Sequence, residues 1–148
     1  MDPPIVIVYA DFECPFCAAL ELRLRRLPIE VVFRHFPVSS SHPRARAAAC
    51  AAEAAAAQGA FWEMHDALFA DQARLEDPHL WARAQCLDLD LERFEVDRRG
   101  EPARDRVQRD FRAGVRAGVV TTPTLLRWDG VRGVPVTGPD LERQFGAQ

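Results

Sequence analysis

The 148-residue sequence contains no lysine, only one tyrosine and two methionines, and no long apolar run. Its longest strongly apolar stretch, Ile5–Tyr9, falls far short of the roughly 20 residues that a membrane-spanning helix needs. All 19 basic residues are arginine, which a GC-rich genome explains without any functional reason. The net charge of −3 and the pI near 5.8 lack the basic character of a nucleic-acid-binding domain. We therefore expect neither a membrane segment nor a nucleic-acid partner.

The composition is that of a single folded domain. Apolar residues make up 48% of the chain and charged residues 28%, which excludes intrinsic disorder. A secretory signal begins with positive charge and continues with about 7–15 apolar residues, whereas here Asp2 and two prolines precede five apolar residues. We therefore expect a cytoplasmic protein, or a periplasmic or otherwise extracytoplasmic one if a signal peptide has been removed. We also expect it to be a monomer.

The N-terminal part of the chain alternates between strand and helix patterns. Ile5–Tyr9 is continuously apolar and β-branched, which is typical of a central strand in a sheet covered on both faces. Good helix formers follow Pro15, with Leu20, Leu24 and Leu27 at helical spacing, and Pro28 ends them. A second strand pattern occupies residues 29–36. This order predicts a βαβ unit with parallel strands and a right-handed crossover.

The middle of the chain is predicted to be entirely helical. Ten of the thirteen residues in Ala45–Ala57 are alanine, which strongly favours a helix. Further helical patterns follow, and the last of them places Val107, Phe111 and Val115 on one predicted apolar stripe. Strand patterns then return as a hairpin around the turn dipeptide Asp129-Gly130, and a short helix closes the chain.

These patterns predict an α/β fold of the form βαβ…ββα with an all-helical insertion. Residues 1–39 and 118–148 form the predicted sheet-containing core, and residues 40–117 form the predicted insertion within one domain.

The clearest chemical signal is Cys14-Pro15-Phe16-Cys17, which follows a strand and opens a helix. A Cys-x-x-Cys in this context indicates thiol–disulfide redox chemistry. Positions i and i+3 lie on one helix face, so the two sulfurs can bond without distorting the backbone. Cys14 is at the N-cap, where free N–H groups and the helix dipole stabilise a thiolate. We therefore predict that Cys14 is the nucleophile and that Cys17 resolves the mixed disulfide.

A structural zinc site is the alternative for this motif. Tetrahedral zinc needs four ligands, whereas Cys50 and Cys86 are single and the four histidines show no ligand-like pairing. We therefore predict no metal site. Cys50 and Cys86 are expected to pack as small apolar residues, and a second disulfide is the alternative, which thiol counting on the oxidised protein would distinguish.

Five groups of residues, taken in order, resemble the DsbA-like branch of the thioredoxin superfamily. They are Asp11–Cys17, Arg34–Pro37, Ala52–Ala55, residues 61–69 with their Phe-Trp, His-Asp and Leu-Phe pairs, and Gly118–Thr124. The resemblance covers nearly the whole chain. It implies a thioredoxin fold with a helical insertion and a protein disulfide oxidoreductase activity. It also implies cysteine-containing protein substrates, a redox partner, and no cofactor beyond the cysteine pair.

The resemblance also assigns residues around the cysteines. Pro123 looks like the cis-proline of the family, which faces the nucleophile, although the sequence itself does not determine the isomer of an X–Pro bond. The backbone of Thr122 would then pair with an extended substrate segment, as in β-strand addition. Phe12 and Phe16, with Pro15 between the cysteines, are expected to contribute to the substrate-binding surface.

The chain departs from the family pattern at two positions. Relatives carry a buried carboxylate six residues before the first cysteine, where this chain has Val8. Asp11 is the candidate replacement as a proton relay, although acids at strand ends are more often solvated. Strongly oxidising relatives have histidine in place of Phe16. We therefore predict a reduction potential between about −270 mV, as in thioredoxin, and about −120 mV, as in DsbA.

Two other functions are consistent with this motif. The domain could instead be a redox-sensing or partner-binding module without general turnover, since related domains occur attached to membrane transporters. A glutathione-using transferase or isomerase is a third alternative. Enzymes of that class generally have serine at the nucleophile position and lack the second cysteine, so Cys17 counts against it.

Overall fold

The computed structural model describes residues 2–146, which form four strands and seven α-helices. In chain order the elements are β1 (Ile5–Ala10), α1 (Pro15–Leu24), β2 (Glu30–His35), α2 (Ala45–Ala56), α3 (Phe61–Ala70), α4 (Asp77–Cys86), α5 (Leu91–Arg98), α6 (Glu101–Arg116), β3 (Thr124–Trp128), β4 (Gly133–Val136) and α7 (Leu141–Phe145). A short 3₁₀ turn over Gly138–Asp140 precedes α7. No helix in this part of the chain is long and apolar enough to cross a bilayer.

The four strands form one mixed sheet in the order β2-β1-β3-β4. β1 pairs in parallel with β2, which confirms the predicted βαβ unit, and β3 pairs antiparallel with both β1 and β4. In the hairpin turn the Asp129 carboxylate accepts the N–H groups of Val131 and Arg132, each at 2.8 Å. Gly130 adopts φ +101° there, a conformation that residues with a side chain rarely occupy.

Apolar side chains cover both faces of this sheet. Val6 and Val8 on β1 point into the main core, where they meet α1 and the helical segment. Tyr9 belongs to a second, smaller cluster on the opposite face, together with Phe36 and Leu126. A strand buried on both faces is expected to be continuously apolar, as the sequence of β1 is.

Helix α1 carries the Cys-x-x-Cys motif at its N-terminus and is shorter than predicted. Leu20 and Leu24 are buried as expected, but the helix ends at Leu24 and Leu27 lies beyond it, only half-buried. Pro28 accounts for the early end, since a continued helix would need its missing N–H to bond the Leu24 carbonyl and would bring its ring against that carbonyl.

Helices α2 to α6 all lie between β2 and β3, and α2 packs against α3, α5 and α6. Gly114 allows α6 to approach the sheet closely, because a Cβ there would lie 2.7 Å from Phe36 Cδ2. The predicted apolar stripe on α6 is wrong at its end, since Val115 is 55% exposed. Eight residues after Val107, a helix with 3.6 residues per turn has rotated by about 80° from the buried face.

Candidate active site

Cys14 is the N-cap residue of α1, immediately after the loop that leaves β1. Its Sγ accepts the N–H of Cys17 at 3.3 Å, and its own N–H donates to the carbonyl of Asp11 at 3.0 Å. Pro15 fits the first helical position because the N–H that it lacks would have no partner there. The motif therefore folds locally as predicted, with both sulfurs on one side of the first helical turn.

The two cysteines differ in what their surroundings do to a negative charge. Cys14 Sγ accepts a backbone N–H at the N-terminus of α1, which is the positive end of the helix dipole. Burial raises the pKa of the Cys17 thiol far above its ordinary value, and contact with Cys14 adds to this effect. Both side chains are covered, with Cys14 3% and Cys17 1% exposed. This geometry favours Cys14 as the attacking sulfur, whereas the Cys17 thiol stays protonated because burial raises its pKa.

The segment before β3 faces Cys14 across the site. The carbonyl of Thr122 accepts a hydrogen bond from Cys14 Sγ at 3.7 Å, although 108 residues separate them in sequence. The Thr122–Pro123 peptide bond is cis. The structure therefore places the Thr122 carbonyl, followed by a cis peptide bond, beside Cys14.

Exposed apolar side chains occur on both segments that contribute to the site, α1 and the segment before β3. Phe16 is 74% exposed, and Val120, which the sequence analysis did not select, is 90% exposed on the segment leading to Thr122. An open groove of about 420 Å³ begins at Phe16 and Pro123 and runs between α1 and the β3–β4 hairpin. Large exposed apolar side chains beside a groove are typical of a surface that binds another chain. The adjacent Val119-Val120 pair was the available signal for Val120.

Phe12 does not belong to this surface, which corrects the prediction that it contributes to substrate binding. Its side chain is 1% exposed and its ring stacks on that of Phe33 with 5.2 Å between the ring centroids. Phe69 also packs on the Phe12 ring, with the two ring centroids 4.9 Å apart. Phe12 therefore anchors the loop that carries Cys14 to the core.

Asp11 is buried rather than solvated, and its carboxylate joins two loops. Oδ1 accepts the N–H of Glu13 at 2.8 Å, and Oδ2 accepts the N–H of Val38 at 2.8 Å. Oδ2 also lies 2.9 Å from Nδ1 of His42. The carboxylate thus ties the Cys14 loop to the segment after β2, which is a positioning role.

A second buried acid lies close to the motif. Val8 is fully buried in the core, so the position six residues before Cys14 carries no carboxylate. Glu21 is buried one helical turn after Cys17 and pairs with the buried His65. Sequence reasoning missed Glu21, although its place between Leu20 and Leu24 on the buried side of α1 was a usable signal.

The remaining cysteines behave differently from one another. Cys50 is buried on α2, as predicted, but Cys86 at the end of α4 is exposed, so the prediction that it packs in the core is wrong. The last turn of a surface helix leaves its final residue open to solvent. Among residues 2–146, no group of three or more His, Cys, Asp or Glu side chains is arranged to hold a metal ion.

We expect Phe16→His to make the Cys14–Cys17 disulfide more oxidising. A protonated imidazole beside Cys14 would stabilise the thiolate and hence the reduced form, and 30 mV corresponds to about 1.4 kcal/mol. The measurement is an equilibrium titration against glutathione at pH 7, where the wild type is expected between about −270 and −120 mV. Phe16→Leu is the matched control. A wild-type potential at the DsbA extreme, or an equal shift in both variants, would contradict the prediction.

Comparison with solved structures identifies similar folds. DsbA2 from Pseudomonas aeruginosa is 28% identical, with a TM-score of 0.73 over 90% of this chain and 79% of that chain. A thioredoxin-like oxidoreductase from Silicibacter pomeroyi DSS-3 has the same fold, with a TM-score of 0.80, 22% identity, and coverage of 95% of this chain and 83% of that chain.

Comparison of sequences identifies the family. The Na(+)/H(+) antiporter NhaA 3 of Salinispora tropica is 47% identical over 132 residues, which cover 84% of this chain but only 20% of that protein. The chain spans about a fifth of the length of the curated relatives it matches. A family model described as Thioredoxin matches residues 2–137, and the fold and cysteine motif agree with that match. The chain therefore belongs to the thioredoxin superfamily, in its DsbA-like group.

Proposed function

We propose that the protein is a thiol–disulfide oxidoreductase acting on cysteine-containing protein substrates. The observation that carries this proposal is the position of Cys14 Sγ, which lies at the N-terminus of α1 and faces the Thr122 carbonyl across the site. A sulfur at a helix N-terminus beside a half-buried backbone segment is suited to attack a disulfide held in an extended chain. The protein would act as a monomer, with no cofactor other than its two sulfurs and with a separate redox partner.

The reaction consists of two exchanges of sulfur–sulfur bonds. An extended substrate segment pairs with the backbone of Thr122, and apolar side chains contact Phe16 and Val120. The Cys14 thiolate attacks a substrate disulfide, so that a Cys14–substrate bond forms and one substrate sulfur leaves as a thiolate. Cys17 then attacks Cys14 and releases the second substrate sulfur. The substrate is reduced by two electrons, the Cys14–Cys17 pair is oxidised, and the redox partner reverses that oxidation.

A trapping experiment tests this proposal. We expect Cys17→Ser to accumulate mixed disulfides with substrate proteins, because the Cys14–substrate bond can form but no second sulfur resolves it. Non-reducing electrophoresis followed by mass spectrometry of the adducts measures the effect, with native and scrambled insulin as substrates, since both carry the disulfides that Cys14 attacks.

Two control variants complete that experiment. Cys14→Ser should form no adducts, and Cys86→Ser, which removes an exposed thiol outside the site, should behave as the wild type. Adducts that persist in the double variant Cys14→Ser/Cys17→Ser would place the reactive thiol elsewhere and refute the proposal.

A second function is favoured by the curated relatives. Proteins named as Na(+)/H(+) antiporters contain a segment that is 47% identical to this chain and makes up a fifth of their length. The domain could therefore serve as a redox-responsive module of a membrane transporter, where its disulfide state alters a contact instead of turning over substrates. The exposed Phe16 and Val120 would then contact a fixed partner.

Turnover kinetics and binding distinguish the two functions. An oxidoreductase should accelerate the reduction of insulin by dithiothreitol over many catalytic cycles. A transporter module should show little turnover, and its oxidised and reduced forms should bind the membrane part of such an antiporter with different affinities in detergent.

A further inference from the structure

The carbonyl oxygens of Phe12 and Cys14 share one side-chain donor, the amide of Gln72. Its Nε2 lies 2.9 Å from the Phe12 oxygen and 2.9 Å from the Cys14 oxygen, across 60 and 58 residues of sequence. A primary amide nitrogen carries two hydrogens, so it can donate one to each carbonyl. Gln72 therefore holds two peptide groups of the loop that ends at Cys14.

The helical segment keeps Gln72 itself in place. Gln72 is half-buried and lies just after α3, in the loop that leads to α4. The guanidinium of Arg83 on α4 donates to the carbonyls of Asp71 at 2.7 Å and Arg74 at 2.6 Å, on either side of Gln72. Leu75 then anchors the loop in the main core. A side chain presented by a loop that is held in this way can fix its own partners precisely.

The position of the Cys14 sulfur depends on the backbone that Gln72 holds. Sγ accepts the N–H of Cys17 at 3.3 Å and lies 3.7 Å from the Thr122 carbonyl. Because Sγ is only two bonds from Cα, a rotation of the Cys14 backbone moves the sulfur away from both partners. Hydrogen bonds weaken steeply as their angles depart from linear. Holding the Cys14 carbonyl therefore holds the sulfur on the Cys17 N–H.

Gln72 also alters the electrostatics beside Cys14. A carbonyl oxygen carries partial negative charge, which disfavours a further negative charge on a nearby sulfur. The two amide hydrogens of Gln72 offset this effect at both carbonyls. Within residues 2–146, no other side chain donates a hydrogen bond to either oxygen, although the Cys14 carbonyl also accepts the N–H of Ala18 at 3.2 Å.

We propose that Gln72 is a positioning residue for disulfide exchange, which holds the Cys14 backbone so that Sγ stays on the Cys17 N–H. This inference rests on the proposed oxidoreductase function. Gln72 forms and breaks no covalent bond and contacts neither sulfur. It acts through the carbonyls of Phe12 and Cys14, and it connects the reactivity of the cysteine motif to the helical segment between β2 and β3.

Two substitutions separate hydrogen bonding from side-chain size. Gln72→Met keeps the length of the side chain but has no donor. Gln72→Glu keeps the shape, but an ionised carboxylate only accepts hydrogen bonds and would place a negative charge against both carbonyls. The measurement is alkylation by iodoacetamide from pH 4 to pH 10. A Cys17→Ser/Cys86→Ser background leaves Cys14 and the buried Cys50 as the only thiols, and mass spectrometry tells them apart.

We expect Gln72→Glu to slow alkylation of Cys14 about tenfold near pH 6 and Gln72→Met about threefold, because both variants disfavour the thiolate. The differences should vanish at pH 10, where the thiolate forms in every variant, whereas a loop that had merely lost its structure would alter the rate at every pH. In the chain with both cysteines, the equilibrium of Gln72→Glu with glutathione should move about tenfold toward the Cys14–Cys17 disulfide, since the reduced form has lost stabilisation.

Gln58 provides a matched control. Its Nε2 donates to the Asp90 carbonyl at 3.1 Å and its Oε1 accepts the Asp90 N–H at 2.9 Å, beside the N-terminus of α5. Gln58→Glu therefore makes the same chemical change at another amide that holds backbone, outside the cysteine site. It should leave both the alkylation profile of Cys14 and the glutathione equilibrium at wild-type values.

The outcomes separate this inference from the function on which it rests. A wild-type alkylation profile in a folded Gln72→Met would overturn the role of Gln72, even if Gln72→Glu failed to fold, and would leave the oxidoreductase intact. Equal slowing by Gln58→Glu would overturn it as well, because the effect would not depend on the site. If the wild-type protein failed to reduce insulin, the proposed function would fail, and the alkylation profiles would still decide whether Gln72 positions Cys14.

Discussion

Replacing Cys14 with serine should abolish disulfide exchange. Insulin reduction should fall on the order of 1,000-fold, to the background rate, because a serine hydroxyl stays protonated at neutral pH and is a weak nucleophile without an adjacent base. The fold should survive, since serine is a favoured N-cap residue and can accept the Cys17 N–H that Sγ accepts now. Insulin precipitation in dithiothreitol measures activity, and thermal unfolding measures the fold.

Two comparisons make this result interpretable. Cys50→Ser removes a buried thiol on α2 outside the site, and it should retain activity in whatever fraction folds. Cys17→Ser should stop multiple turnover while still forming mixed disulfides. Residual multiple turnover in Cys14→Ser would mean that another sulfur performs the reaction, and the proposed function would not stand.

The positions of the two cysteines at the start of α1 could be predicted because they depend on local structure. A strand followed by Cys14-Pro15 and a run of helix formers places the first sulfur at a helix N-cap regardless of the rest of the fold. The parallel pairing of β1 with β2 was predictable for a similar reason, since a short strand–helix–strand segment permits few connections.

The surroundings of the cysteines could not be predicted, because they depend on distant segments. Asp11 is buried only because the loop after β2 supplies the N–H of Val38 and the ring of His42. Glu21 is buried only because α3 brings His65 to it. No local pattern around either acid contains these partners. Asp11 therefore resembled an ordinary solvated carboxylate in the sequence, and only the neighbouring leucines indicated that Glu21 is buried.

The direction of a side chain near a strand end is equally hard to predict. Phe12 lies just before the Cys-x-x-Cys motif and Phe16 lies within it, yet Phe12 is buried against Phe33 and Phe16 is exposed. The difference arises because the loop turns Phe12 back into the core before α1 begins. Of the two phenylalanines, only Phe16 is exposed enough to contact another molecule, as is Val120 on the segment before β3.

Asp11→Ala should cause the largest loss of stability among these variants. It leaves the partly buried N–H groups of Glu13 and Val38 without an acceptor, at up to about 1–3 kcal/mol for each donor. We therefore expect the free energy of unfolding in urea to fall by about 2–5 kcal/mol. The loop that carries Cys14 would lose its tie to the segment after β2, so alkylation of Cys14 should change in rate as well.

His42→Ala is the matched control for Asp11→Ala. It removes only the half-buried imidazole and leaves both backbone donors paired with the carboxylate, so the loss should stay below about 1 kcal/mol. Asp11→Asn keeps one carbonyl acceptor and should fall between the two. If His42→Ala and Asp11→Ala were equally destabilising, the imidazole contact would be the main constraint. If neither variant changed the stability or the rate of Cys14 alkylation, the hydrogen bonds from Glu13 and Val38 to Asp11 would not hold the Cys14 loop in place. The positioning role of Asp11 would then be refuted.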